Sequence, residues 1–411
     1  MRFIHKNFFI IFALGLSSGL PLALILATLK TLLAEKNFDL QVIGFLSLVS
    51  IPYSIKFCFA PIIDSYRLPF LAKILGHRKS WIILMQICLA ILIALLGEAG
   101  ENANLFLITI FAVLVAFFSA SQDVVIDAYR IELFDEKNQG LGASFYIFGY
   151  RFGLLISGAL ALFLADKMQW NLVYFIMSCF MIFCVFITLF SSESKKNFQI
   201  KSDNFFAWFK SYVIFPILDF TKKPKWYIIL LLIICFKLSD SFAGSLNMPF
   251  FLELGFSKTQ IATIVKTFGL FATLFGVFCG GFLVKKIGIY KSLWVGVIIQ
   301  ALSNLVFSYL AKVGYNVDAL YATIFIENFS GGIGDAVFVA YLSVLCNINF
   351  SATQYAILSS FAGLSRALFA SSAGIVAVNL GWYKFFIFST FLSIPTLIFL
   401  VLIKKYTNNN D

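Results

Sequence analysis

Twelve stretches of this chain are each apolar over roughly the 20 residues that a helix needs to cross a bilayer, and they occupy most of its 411 residues. They run over 8–32, 42–63, 80–97, 105–126, 141–165, 171–190, 226–252, 259–284, 292–311, 319–345, 354–378 and 382–403. Lipid offers no partner for a backbone N–H or C=O, so a spanning segment is a helix or a strand of a closed barrel. Barrel strands are about ten residues long and alternate in polarity, and these runs do neither. The sequence therefore predicts an all-α membrane protein with twelve transmembrane helices. With 61% hydrophobic and 12% charged residues, the chain lacks the polar surface of a soluble protein.

The longest polar segment, 191–225, divides these runs six and six. This predicts an N-terminal six-helix bundle over 1–190, a cytoplasmic linker over 191–225 and a C-terminal six-helix bundle over 226–411. The halves also rhyme. Residues 142–170 and 354–382 have similar patterns, with Arg151 and Arg366 near the middle of each, 215 residues apart (366 − 151). A charged side chain at the bilayer centre costs about 2.5–3.5 kcal/mol on insertion scales. Two of them at matching places in a repeat point to a central polar cavity between pseudo-symmetric halves, the layout of a transporter.

The formal net charge of +11 would suit nucleic-acid binding if it were clustered on one surface. It is spread over alternate loops instead. Lys and Arg crowd the N-terminus, the 67–79 connector, the 195–225 stretch, the 285–291 connector and the C-terminus, whereas the opposite loops hold only Lys36, Lys167, Lys258 and Lys312. By the positive-inside rule both termini are cytoplasmic. This distribution argues for a bilayer partner and no nucleic acid. The first run is too long for the apolar region of a cleaved leader and stays as the first helix. Seven cysteines are scattered without a CxxC pair, and they read as small buried hydrophobes rather than metal ligands or disulfides. Short loops leave no room for an extramembrane catalytic domain. Phe205, Trp208, Phe209 and Tyr212, with Lys201 and Lys210, fit either a helix lying on the inner leaflet or a solvated linker.

Chemistry concentrates on a few membrane positions. Ser119, Asp123, Asp127 and Arg130 share one face of the fourth run. Asp127 and Arg130, three apart, pair with each other or with the 2–3 connector; Asp123 lies deeper and is the better proton carrier. Glu327, Gly331 and Asp335 form a carboxylate–small–carboxylate stripe on the tenth run. Glu327 near mid-depth suits reversible protonation, and Gly331, Gly332 and Gly334 allow close approach of a helix or a ligand. Both histidines, His5 and His77, lie outside the spans, so proton coupling falls to carboxylates. The membrane cations are Lys56, Arg151, Lys237, Lys266 and Arg366. Arginine forks suit bidentate binding of a carboxylate or phosphate, and several such cations imply an anionic cargo. Lys237 has Asp240 at i,i+3 as an internal partner. Gly15–Gly19 and Gly276–Gly280 have helix-packing spacing.

Several segments together resemble one family. They are SSGLPLAL (17–24), IGFLSLVSIPYSIKFCFAPIID (43–64), FFSASQDVVIDAYRIE (117–132), GYRFGLLISGALAL (149–162), ENFSGGIGDAVFVAYLSVLCN (327–347) and ATQYAILSS (352–360). They are similar to the AmpG-type muropeptide permeases of the major facilitator superfamily. The connectors after the second and eighth runs also resemble that superfamily's loop motif in degenerate form. Ser65 stands where a basic residue is common, while Asp64, Arg78 and Lys79 remain as gating or structural residues beside Asp127 and Arg130.

The resemblance implies an inner-membrane, proton-driven importer of anhydromuropeptides, anionic sugar–peptide fragments released by cell-wall turnover. It implies no cofactor beyond the proton motive force, no metal, and a monomer. Arg151, Arg366, Lys237 and Lys56 would then meet the carboxylates of the cargo and Tyr150 a sugar face, with Glu327, Asp123 and Asp335 carrying protons. The alternatives are a carrier of another anion such as acetyl-CoA, a non-transporting membrane sensor, and a Mg²⁺-dependent prenyl-type transferase on Asp123 and Asp127. The transferase usually wants two acidic clusters, and Arg130 would compete with its metal.

Overall fold

The computed structural model describes residues 2–193 and 204–407, and all regular structure among these is helical. Among the described residues, eleven helices are long and apolar enough to span a bilayer. They are α1 (Lys6–Glu35), α2 (Gln41–Cys58), α3 (His77–Glu101), α4 (Leu105–Leu133), α5 (Glu136–Ala165), α6 (Trp170–Leu189), α7 (Trp226–Glu253), α8 (Ile261–Ile287), α9 (Ile289–Val313), α10 (Val317–Leu345) and α12 (Ala373–Ile403). Between the last two lies α11 (Ser351–Ser371), at the position of the run expected over 354–378. Inside α12, Gly381 adopts φ +70°, a left-handed conformation that interrupts a helix. The break falls between 378 and 382, where the sequence separates its last two apolar runs.

The run over 42–63 is not one helix. It is a series of short helical segments, α-helical over Leu40–Phe45, Ile51–Ser54 and Ala60–Ser65 and 3₁₀ over Leu46–Ser50 and Lys56–Cys58, so the span α2 is of mixed helix type. Pro52 and Pro61 explain part of this, since each sits in the first turn of the next segment, where the missing N–H costs nothing. The stretch read as a linker also contains helix, continuous over 205–221 with one π turn at Lys210–Ile214. Lys195, Lys196 and Lys201 lie outside the described residues.

Compactness divides the chain into two units. The first comprises Met1–Asp135, Phe145–Pro216 and Cys346–Ala356, and the second Glu136–Ser144, Ile217–Leu345 and Ile357–Asp411. The first turns of α5 and α11 thus pack in a different unit from the rest of their helices. The first unit is cored by aliphatic residues of α1, α3, α4 and α6 around Trp170 and Tyr174. The second has a phenylalanine core, in which Phe307 stacks on Phe386 at 4.9 Å and Phe386 meets Phe250 edge-on at 4.8 Å.

Helices in lipid gain little from burying apolar surface and associate by close packing, for which glycine is suited. In the first unit α1 crosses α5 on four glycines. A Cβ at Gly15 or Gly19 would overlap the backbone of Tyr146 or Tyr150, and one at Gly149 or Gly153 would overlap that of Phe12 or Leu16. In the second, Gly276 and Gly280 of α8 face the backbone of α10 at Phe329 and Ile333, and Gly332 faces Thr273. Both GxxxG spacings are therefore packing surfaces. None of the seven cysteines forms a disulfide, but only Cys184 and Cys346 are buried while Cys58 and Cys179 are exposed, which corrects the expectation that all sit inside.

Gly149→Ala is expected to destabilise by about 1–3 kcal/mol through overpacking. Gly374, whose added Cβ would meet nothing within 4 Å, should accept Ala without loss. Thermal unfolding midpoints of the two variants in detergent check the contrast.

Candidate functional site

Asp123 stands on α4, half-buried, and accepts a hydrogen bond from the Ser18 hydroxyl of α1. Ser18 also lies 2.9 Å from the Tyr146 hydroxyl of α5. Tyr150, one turn further along α5, and Lys56 of α2 are close enough to act electrostatically on Asp123 or be acted on by it. One turn along α4, Asp127 pairs with Arg130 at 3.3 Å. The Arg130 guanidinium lies over two rings, 5.7 Å from the centroid of Tyr146 and 5.4 Å from that of Tyr355. Of the two partners open to Asp127 and Arg130, each other or the 2–3 connector, the structure shows each other.

Beyond that stripe lies a second ionic cluster that the sequence showed only in part. Arg78, at the start of α3, is fully buried and donates to Asp64 Oδ1 at 2.6 Å and to Glu132 Oε1 at 2.7 Å. Ser351 Oγ donates to Glu132 Oε1 at 2.5 Å and stands 3.1 Å from Arg78. The other oxygen of Asp64 accepts from the Thr353 N–H and hydroxyl, both at 2.8 Å. Those are donors in the first turn of α11, so Asp64 caps that helix from the Ala60–Ser65 segment after α2. Glu193 does the same for α3, accepting from the N–H groups of Arg78 at 2.8 Å and Lys79 at 3.2 Å. Burial pushes the Glu193 carboxyl up from its ordinary value, against the two backbone donors that draw it down. Gly76, at φ +90°, is required twice over: by its left-handed backbone and because a Cβ there would strike the Glu193 carboxylate. Lys79 is satisfied by the carbonyls of Leu189 and Ser191 at 2.9 and 2.8 Å.

In the second unit, α7 breaks at Lys237, between Trp226–Cys235 and Leu238–Gly244. The buried Lys237 ammonium is 3.1 Å from Asp240 and 2.8 Å from Asp335 of α10. Glu327, two turns before Asp335 on α10, is within the electrostatic reach of all three. It accepts from Asn328 Nδ2 at 2.7 Å, and Asn328 in turn accepts from Thr273 of α8 at 2.9 Å. Three carboxylates thus share one ammonium. The three neighbouring glycines have different tasks. Gly332 abuts α8 and Gly334 abuts the Gln300 side chain, but a Cβ at Gly331 would meet nothing within 4 Å. The Glu327–Gly331–Asp335 stripe therefore borders open space.

Arg151 lies half-buried on α5, next to Tyr150 and acting on it electrostatically. Arg366 falls on α11, and its side chain lies outside the described residues. The structure thus gathers Asp123, Lys56, Tyr150, Asp127 and Arg130 in the first unit and Glu327, Asp335 and Lys237 in the second. Among the described residues no group of three or more His, Cys, Asp or Glu side chains is arranged to hold a metal.

The Major Facilitator Superfamily model matches residues 8–252 and 229–410. The anhydromuropeptide permease of Escherichia coli strain K12 is 37% identical over 407 residues, spanning 98% of this chain and 81% of the relative. The putative transporter AmpG 4 of Rickettsia felis is 36% identical over 403 residues, 97% of each. This chain belongs to the AmpG-type permeases of the major facilitator superfamily. Among solved structures, the transporter FucP in its outward conformation superposes with a TM-score of 0.71 at 16% identity, covering 96% of this chain and 98% of that one. The human organic anion transporter MFSD10 gives 0.72 at 14%, covering 96% and 99%. These two show the shared fold alone. As a permease of this superfamily, the protein is a secondary transporter and not an enzyme.

Glu132, Glu193, Ser18, Tyr146, Ser351 and Thr353 escaped the sequence reading. Glu132 alone left a signal: an acid two residues after Arg130, at the end of the run that already carries Asp123 and Asp127. Removing both Asp64 and Glu132 would strand a buried guanidinium, which is expected to cost about 3–5 kcal/mol. Either single Ala substitution should cost less than half of that, because one carboxylate remains. A double-mutant cycle on thermal midpoints should show the pair to be worse than the sum of its parts.

Proposed function

We propose that this permease imports anhydromuropeptides from the periplasm across the bacterial inner membrane, driven by co-transported protons. The reading is carried by one observation: hydrogen-bonded and ion-paired acids stand inside the membrane helices of both units, in a chain that aligns nearly end to end with an anhydromuropeptide permease. Such a cargo bears carboxylates on its peptide stem and apolar ring faces on its sugars. Arg151 and Arg366, at matching places in the repeat, serve as carboxylate clamps, and Tyr150 beside Arg151 offers a ring face to a sugar. Lys56 and Lys237 add positive charge that their acid neighbours hold in reserve.

Three carboxylates around the Lys237 ammonium leave two negative charges when all are ionised. A proton on Glu327 relieves the excess and leaves Lys237 its two aspartates. Asp123, held by Ser18, is the corresponding acid of the first unit. Cargo or proton arriving at the Gly331 face would meet Glu327 and Asp335 directly. Both termini are cytoplasmic in this reading, since the loops rich in Lys and Arg stay inside. The protein works as a monomer, and the surrounding bilayer is its only obligate partner.

Uptake of labelled anhydromuropeptide into right-side-out vesicles should collapse on adding a protonophore; uptake that ignores the protonophore removes proton coupling. Arg151→Ala and Arg366→Ala should each reduce uptake at least tenfold at unchanged surface expression. Glu327→Gln should flatten the pH dependence of uptake. Gly331→Phe, filling the open face, should abolish uptake while leaving the thermal midpoint in place. Restoration of muropeptide recycling in a permease-null bacterium tests the cargo itself.

A further inference from the structure

The helix over 205–221 has two unlike faces. Trp208, Tyr212, Pro216 and Phe220, four residues apart along it, turn inward; Tyr212 is 2% exposed. This side is pinned by hydrogen bonds. Trp208 Nε1 donates to Ser65 Oγ at 2.8 Å, at the end of the Ala60–Ser65 turn after α2, and Gln354 Nε2, in the first turns of α11, donates to the Pro216 carbonyl at 2.9 Å. Asn204 caps the helix by accepting from the Ala207 N–H. The outward side carries Phe205, Phe206, Phe209, Phe215 and Leu218, with Phe206 83% exposed and Phe205 70%.

In water such a phenylalanine face would be a liability, because it is contiguous rather than scattered. Its position offers another medium. The helix ends at Thr221 and α7 begins at Trp226, so only four residues, with a reach of about 14 Å, separate it from a membrane span. Trp226 and Tyr227, both exposed at the start of α7, are residues that favour the headgroup level. Lys210 is exposed on the helix and Lys222 and Lys223 follow directly on its end, three cations against the one acid of the helix, Asp219. An apolar face edged by cations is the pattern of a helix that lies in the interface of an anionic leaflet.

We propose that helix 205–221 is a lipid-binding element: its phenylalanine face sits in the headgroup–acyl boundary and its lysines select anionic phospholipid headgroups. Because Ser65 and Gln354 adjoin Asp64 and Thr353, the helix joins this lipid contact to the ionic cluster at the ends of α2 and α11. The inference does not depend on the cargo, so its failure leaves the transport reading untouched.

The test places the photoreactive p-benzoylphenylalanine at position 206, with position 212 as the buried control. The purified protein is set in nanodiscs of equal phosphatidylcholine and phosphatidylglycerol. Irradiation should yield lipid adducts at 206 and intramolecular crosslinks at 212, read by mass spectrometry. Phosphatidylglycerol adducts should exceed phosphatidylcholine adducts at least twofold, and Lys210→Gln with Lys223→Gln should bring that ratio near one. Absence of lipid adducts at 206, or crosslinking there to a protein in native membranes, overturns the proposal. Equal adducts with both lipids before any lysine is changed overturn its headgroup part.

Discussion

A buried arginine anchors one end of the first unit. Arg78 has no contact with solvent and is held by two carboxylates, Asp64 and Glu132, which come from separate helices. Desolvating a charge costs several kcal/mol, and attraction offsets that only where geometry is close and every remaining donor or acceptor is used. Here they are used: Asp64 spends its second oxygen on the first turn of α11, and Glu132 takes a further bond from Ser351. The network therefore ties the Ala60–Ser65 segment after α2 to the ends of α3, α4 and α11, because each acid serves both Arg78 and the start of α11. Glu193 and Gly76 extend it to the end of α6.

The glycine crossings are what let charges lie so close inside the membrane. With α1 against α5 at backbone contact, the short side chain of Ser18 reaches Asp123 on α4 and Tyr146 on α5 at once. A larger residue at Gly15 or Gly19 would push α1 away and leave Asp123 without its donor. In the second unit, Gly276 and Gly332 bring α8 against α10, and Thr273 then reaches Asn328, the partner of Glu327. Close packing thus acts on chemistry by setting the distance between a helix-borne acid and the neutral group that hydrogen-bonds it or its partner.

Helix class was legible because it follows from lipid alone: apolar runs of sufficient length admit one solution. The break at Gly381 was legible as a gap between runs. The Lys237–Asp240 pair was legible too from its i,i+3 spacing, although Lys237 turns out to stand at a break, just before the helical piece that carries Asp240. What stayed hidden was contact between distant segments. Nothing in the spacing of Glu132 says that it meets a residue 54 positions earlier, or that Thr353 would be capped by Asp64. The four-glycine crossing was half-legible: Gly15–Gly19 has the familiar spacing, and Gly149–Gly153 has it as well, but only the backbone shows that the two meet.

The acids and the cations differ in how they are carried. Asp123 and Glu327 lie on α4 and α10, each one unbroken helix of 29 residues. Lys56 and Lys237 lie at breaks, the first in a 3₁₀ turn of α2 and the second between two helical pieces of α7. An unbroken helix keeps its side chains at fixed depth, whereas a break concentrates the φ/ψ freedom of a segment in a few residues. Irregular backbone at membrane depth is tolerated only where protein or a water-lined space satisfies it. Each unit thus opposes acids on a rigid strut to a lysine on a jointed one.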